Sequence, residues 1–354
     1  MERARWKNTK LPIEADELPD LYEKGYTLEK SDFICVECNG NATPCSFKPE
    51  NKKRPWFTID KHDEICEVFK YKELTKIGKK KRVSKPDGFP LPYPSKLYLQ
   101  NKDIRKASED DLNSKNTNNI RKITTYAGLD RESIDTNNHN RTSSTIRPIV
   151  DHFIHFPYDR DCKLELPMLE KGNTYNSIFR KISQYRIDIK NNNDLKVKWI
   201  DKYSTTKLYY GILSLEEDSI VKEENKIKIK LYLQAYTPIY LNIDISDWNK
   251  RKYNEVIKEL REAKEEKVKE FSNNLKDCIR EYKEKNNIND KEELNQRITD
   301  ILYTSVKTKI NKQNKNIYIF FVGNLDKNND KIFRLYNNDF RLLYSQFCKI
   351  IYPK

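Results

Sequence analysis

Lys226-Ile227-Lys228-Ile229-Lys230-Leu231-Tyr232-Leu233 alternates polar and apolar without a fault, and after Thr237-Pro238 the run Ile239 to Ile245 alternates again. Period two is the signature of a strand with one buried face. Ile239, Leu241, Ile243 and Ile245 form the apolar set of the second run, and Tyr240, Asn242 and Asp244 oppose them. Two such runs close together predict an antiparallel hairpin covering a core on one side. Lys207 to Leu215 is aromatic and β-prone, which extends the sheet over 207–245.

Toward the C-terminus, Asp247 is expected to cap a long helix with the stripe Tyr253, Ile257, Leu260, Val268, Phe271, Leu275, Ile279 and Tyr282. Asn286-Asn287 breaks it, and Asp290 with Glu293 gives a capping-box-like start to a second helix striped by Leu294, Ile298, Ile301, Leu302, Val306 and Ile310. The spacing predicts an antiparallel helical hairpin over 248–312. Its first stripe is also regular enough to serve a partner helix or a homodimer. Strands at Ile317–Val322 and Lys331–Tyr336 and a terminal helix from Asn338 are expected to complete the segment 317–348. Toward the N-terminus, Arg147 to Ile154 has a helical pattern with proline in its first turn, and Thr174 or Asn173 caps a short helix from Tyr175. Residues 146–354 therefore read as one α+β domain. Residues 76–145, rich in Lys, Pro, Asn and Ser, read as a basic linker, because four prolines between 86 and 94 forbid helix.

Residues 1–75 read as a small metal-binding module with a lead-in. Cys35-Val36-Glu37-Cys38 is a knuckle whose two thiolates can share one tetrahedral ion, and His62-Asp63-Glu64-Ile65-Cys66 supplies a second pair. Four protein ligands, Cys35, Cys38, His62 and Cys66, leave no open position, so a structural Zn2+ is expected. It would substitute for a core that so short a module cannot build, with Phe33, Trp56 and Phe57 as its apolar shell. Cys45 is the alternative to His62 as ligand. The segment resembles the zinc-binding region of the CoiA-like competence proteins, in which a cysteine pair precedes a basic stretch, an Arg-Pro-His-Phe-like element and further ligands. Here the corresponding residues are Cys35, Cys38, Arg54-Pro55-Trp56-Phe57, His62 and Cys66, with Trp56 where that pattern has histidine. The resemblance covers about 40 residues, implies association with DNA metabolism, and carries over no nuclease residue.

The formal charge is +14, from 68 Lys and Arg against 54 Asp and Glu. Residues 46–106 hold 17 Lys/Arg and 8 Asp/Glu, so over half of the excess lies there. Such a balance favours polyanionic partners, nucleic acid first. Candidate contacts are Lys79, Lys80, Lys81 and Arg82 as an electrostatic arm, and Arg141 and Arg147 flanking a hydroxyl-rich helix start. Lys226, Lys228, Lys230 and Tyr232 form a third candidate on one strand face. No apolar run is long enough to span a bilayer and no signal peptide begins the chain, so no membrane is expected. Seven cysteines, four of them within residues 35–66, fit a reducing compartment, and a cytoplasmic placement is expected.

Catalytic residues are harder to find. The eight glycines form no phosphate loop, and no nucleophile elbow is present. Asp151, His152, His155, Asp159 and Asp161, or an Asp-x-Lys element at Asp188–Lys190 or Asp194–Lys196, are the only candidates for a metal-dependent nuclease. The expectation is therefore a zinc-containing nucleic-acid-binding protein, a subunit of a larger bacterial or phage assembly, with no catalytic residue assigned. A metal-dependent nuclease and an adaptor working through the helical hairpin are the alternatives.

Overall fold

The computed structural model describes residues 3–8, 12–48, 50–51, 55–66, 68–69, 72–73, 76, 93–99, 140–182, 193–232, 238–286, 297 and 315–352. It is an α+β fold. The strands are β1 (Arg3–Trp6), β2 (Pro12–Glu14), β3 (Phe33–Ile34), β4 (Ala42–Cys45), β5 (Trp56–Ile59), β6 (Tyr93–Leu97), β7 (Asn140–Ser143) and β8 (Phe179–Lys181). They continue with β9 (Lys207–Leu213), β10 (Ile220–Glu223), β11 (Lys226–Tyr232), β12 (Ile239–Asp244), β13 (Asn316–Asp326), β14 (Asn329–Leu335) and β15 (Leu343–Cys348).

The expected hairpin is present, with Lys226 to Leu231 of β11 registered against Asp244 to Ile239 of β12. β12 then pairs in parallel with β14, β14 antiparallel with β13, and β13 antiparallel with β9. Finally β9 returns to β11, with Leu213 beside Leu231 and Ile212 beside Tyr232. The ring β9-β11-β12-β14-β13 is thus a closed, five-stranded Greek-key barrel, and closure removes the sheet edges that would otherwise need protection. The alternation in the sequence places Ile227, Ile229, Leu231, Ile239, Leu241 and Ile243 inside it, each buried. Tyr209, Phe321 and Phe333 complete the interior, with Phe321 and Phe333 ring centroids 5.6 Å apart.

The outer face of β9 and β13 is buried as well. Tyr210 and Phe320 stack at 5.5 Å, and Phe153 and Phe179 stack over them at 3.9 Å. Phe153 comes from the helix Arg147–His155, close to its expected bounds, and Thr174 caps the turn Tyr175–Ile178 by accepting from the Ser177 amide. The helix Asn193–Tyr203 sets Trp199 and Tyr203 near the barrel, where the Trp199 indole donates to the Asp330 carbonyl at 3.1 Å. The helix Lys250–Asn286 connects β12 to β13. Asn249, not Asp247, supplies its cap, accepting from the Lys252 amide. Val256, Ile257, Leu260, Ala263 and Cys278 of this helix are buried, whereas Val268 and Phe271 of the expected stripe are exposed. The second arm of the expected helical hairpin lies outside the described residues apart from Arg297.

Two expectations are corrected. The terminal helix from Asn338 is instead two 3-10 turns followed by strand β15, whose residues pair with Asn316 to Phe321 of β13. Local pattern gives way here to the pairing capacity of β13, whose 11 residues exceed what β14 alone covers. The linker 76–145 is also too wide. β6 and β7, near its two ends, pair in parallel, and Tyr93 and Leu97 are buried in the same core as Ile149 and Phe153. Residues 77–92 and 100–139 lie outside the described residues. No helix among the described residues is long and apolar enough to cross a membrane.

Gly323 marks where β13 and β14 press together, since a Cβ there would stand 2.0 Å from the Arg334 carbonyl oxygen. Gly323→Ala should therefore cost about 2 kcal/mol or more by forcing backbone apart, read as a several-degree fall in melting temperature.

A candidate metal centre and two polar clusters

The N-terminal cysteine module is built on two small sheets. β1 lies between β2 and β3, and β4 pairs with β5. Phe33 and Phe57 are buried with Ala4, Ile13 and Leu18, so the lead-in folds into the module's own core. Trp56 is half-buried and its indole donates to Thr58 at 3.1 Å. The knuckle turns so tightly that the Cys35 amide donates to the Gly40 carbonyl at 2.8 Å. A Cβ on Gly40 would stand 2.4 Å from the Lys61 carbonyl oxygen and 3.4 Å from the Cys38 sulfur. Glycine is therefore required for the two halves of the site to meet.

They do meet. One ligand atom from each of Cys35, Cys38, His62 and Cys66 lies within 4.8 Å of all the others, and the set could hold a metal ion. Cys35 and Cys66 sulfurs are 3.9 Å apart, and His62 Nδ1 is 3.5 Å from the Cys38 sulfur and 3.1 Å from that of Cys66. A tetrahedron with metal–sulfur bonds near 2.3 Å has edges of about 3.8 Å, so the cage has the right size. Burial pushes the Cys66 thiol up to about 12 and raises that of Cys35, while at Cys38 burial is outweighed by hydrogen bonds at Asp63, Gly40, Cys66 and Cys35, which bring it down. Burial also lowers His62, helped by Lys72, which keeps its imidazole neutral and able to donate a lone pair. A cation is what would make three crowded thiolates stable together. Cys45 stands apart, its sulfur meeting the Thr43 carbonyl and the Thr58 hydroxyl.

The segment 151–161 is spent on structure. Tyr344 donates to Asp151 at 3.4 Å, Arg160 donates to the Phe153 carbonyl and covers its ring at 3.8 Å, and Asn176 donates to Asp161. His152 is fully buried among Tyr93, Phe156 and Tyr175, and burial together with Arg160 lowers its pKa to about 3. It is a neutral core residue. Among the described residues these side chains form no group able to hold a metal; Asp188–Lys190 lies outside them, and Lys196 pairs with Asp330.

The expected nucleic-acid contacts divide three ways. Lys79, Lys80, Lys81 and Arg82 lie outside the described residues, and of Arg141 only its backbone place in β7 is described. Arg147 is turned inward, its guanidinium 5.1 Å from the Tyr344 ring centroid. Burial alone would lower its pKa, but Tyr344, Glu259 and Asp151 raise it overall. Lys226, Lys228, Lys230 and Tyr232 do share the outer face of β11, as the alternation requires. Their surroundings, which sequence pattern could not give, are acidic and aromatic. Lys230 is ion-paired with Glu216, Lys226 lies across from both Glu223 and Asp244, and Lys228 sits 4.5 Å from the Tyr240 ring centroid.

Cys38→Ser or Cys66→Ser should abolish a one-to-one metal content measured by elemental analysis, whereas Cys45→Ser should retain it. Acid should release the ion as the thiolates regain their protons, so affinity falls as pH falls. No family model, no curated protein and no solved structure matches this chain.

Proposed function

We propose that the chain is a zinc-containing, sequence-tolerant nucleic-acid-binding protein. The observation that carries this reading is the barrel. Its five-stranded Greek-key form is the architecture that, in the oligonucleotide- and oligosaccharide-binding fold, presents strands two and three to the ligand. The corresponding strands here are β11 and β12, which carry the lysines and tyrosines on their outer face. Architecture alone does not fix function, but the net charge of +14 supports a polyanion over a neutral sugar.

Three thiolates and one imidazole at tetrahedral spacing favour Zn2+ over harder ions. With four protein ligands the ion would shape the module and take no part in a reaction. The likeness of this segment to the zinc-binding region of CoiA-like proteins supports a place in DNA metabolism, inside a cell. In the chain, the cluster of Cys35, Cys38, His62 and Cys66 is followed by residues 67–106, which carry much of the excess positive charge.

The test is binding of labelled single- and double-stranded DNA and RNA over a salt series. Wild-type protein should bind tightly at low salt with a steep slope. Reversing Lys79, Lys80, Lys81 and Arg82 to glutamate should flatten the slope on duplex by about three to four units, at roughly 0.9 per phosphate contact. Reversing Lys226, Lys228 and Lys230 should flatten it less, because two of the three already face carboxylates. Absence of binding by the wild type at low salt would end this reading.

A further inference from the structure

Outside the barrel, β8 pairs in parallel with the first half of β9, which sets Phe179, Arg180 and Lys181 beside Leu208, Tyr209 and Tyr210. Phe179 is buried, whereas Arg180 and Lys181 are exposed at the end of the sheet. Lys207, half-buried, opens β9 and by alternation shares a sheet face with Tyr209. The helix Asn193–Tyr203 docks on this corner through its buried Trp199 and Tyr203. The Tyr203 hydroxyl donates to the Lys181 carbonyl at 3.2 Å, and its ring centroid is 5.6 Å from that of Tyr209. Lys198 and Lys202, both exposed, stand four apart on one flank of the helix, with the Lys202 ammonium 5.1 Å from the Tyr203 ring centroid. Tyr203 thus brings the cations of a strand edge and those of a helix to one corner of the domain.

Residues 179–182 and 193–207 hold six Lys and Arg against two carboxylates, Asp194 and Asp201. Lys196 pairs with Asp330, but Arg180, Lys181, Lys198 and Lys207 form no ion pair among the described residues. Like charges four apart on a helix repel, so the free protein holds this corner at a cost that a polyanion removes. The β11 face differs, because Lys230 already meets Glu216 and Lys226 lies across from Glu223 and Asp244. A phosphate arriving there has to displace a carboxylate, and one arriving at Arg180 or Lys198 does not. Resting on the nucleic-acid reading above, we infer that the phosphate backbone is held at the corner of β8 and the helix Asn193–Tyr203, by Arg180, Lys181, Lys198 and Lys207. Arg180 supplies a planar fork able to grip one phosphate by two hydrogen bonds, and the lysines act as point charges along the strand. Contacts of this kind carry no base information, in keeping with sequence-tolerant binding.

The experiment uses the full chain, with a fluorescent mixed-sequence duplex and a single strand of equal length as probes over a salt series. Replacing Arg180, Lys181, Lys198 and Lys207 together by glutamine should flatten the slope on duplex by about three to four units, and on the single strand by about three. A control of equal charge, with Lys269, Lys276, Lys283 and Lys285 of the long helix changed to glutamine, should keep the wild-type slope. Arg180→Lys with Lys198→Arg, which preserves both charges, should also keep it. A thermal melt of each variant separates lost binding from lost folding. If the fourfold variant does not fold, Arg180→Gln and Lys198→Gln made singly should each flatten the duplex slope by about one unit. Folded variants at this corner with the wild-type slope would overturn the inference while sparing the broader reading. An equal fall in the long-helix control would overturn it too, since bulk charge would then suffice. A wild type that binds neither probe at low salt would instead defeat the nucleic-acid reading itself.

Discussion

Strand β13 is the constraint on which the larger domain depends. It pairs with β9 along one edge, while on the other edge β15 takes its first half and β14 its second. Its side chains from Ile317 to Val322 are buried on both faces, one lining the barrel and the other lying under Phe153 and Phe179. Such a strand cannot alternate, and Ile317-Tyr318-Ile319-Phe320-Phe321-Val322 does not. Every long-range decision in the fold passes through it. The barrel closes because β9 lies against it, and β12 finds a parallel partner because β14 has been placed by it. The helix Lys250–Asn286 then packs against β15 and β13, with Glu259 accepting from the Ser345 amide at 2.8 Å.

The same strand shows what could be read from sequence and what could not. Alternation in β11 and β12 gave both strands and their buried faces, because the period of a half-buried strand is a local property. The apolar run of β13 identified a buried strand but not its three neighbours. Tyr344-Ser345-Gln346-Phe347 has no decisive period, and only the edge that β13 offers makes it extended. Tyr93 to Leu97 was hidden for a related reason: its partner Asn140–Ser143 lies over 40 residues away, across a segment of loop-like composition. Among candidate site residues, the cluster of Cys35, Cys38, His62 and Cys66, which could hold a metal ion, was legible because tetrahedral geometry demands close pairs at short spacing. His152 and Arg147 were misleading for the converse reason, since a titratable side chain carries no mark of whether it is buried. Charge cancellation on the barrel face was invisible too, because Glu216 meets Lys230 only through a turn and Asp326 meets Arg334 only through the β13–β14 hairpin.

The N-terminal cysteine module and the larger domain have separate cores, yet among the described residues three arginines join them. Arg251, in the first turn of the long helix, donates to the carbonyls of Ser46 and Phe47 at 3.3 and 3.0 Å. Arg341, held by Asp339, stands 3.8 Å from the carboxylate of Glu14, which is 2% exposed, and Arg3 lies over the Tyr98 ring. Each guanidinium reaches a carbonyl, a carboxylate or a ring, which is the recognition that a planar, always-charged donor performs best. Burying Glu14 costs desolvation that its partner repays only when the geometry is held. That geometry rests on β2, whose neighbour β1 also pairs with β3, the strand leading directly into Cys35. The order of the metal cage and the order of the contact between the two units are therefore set by the same short sheet. A metal ion in that cage would stabilise the contact as well as the module, although Cys35, Cys38 and Cys66 lie in a cluster separate from the barrel's core.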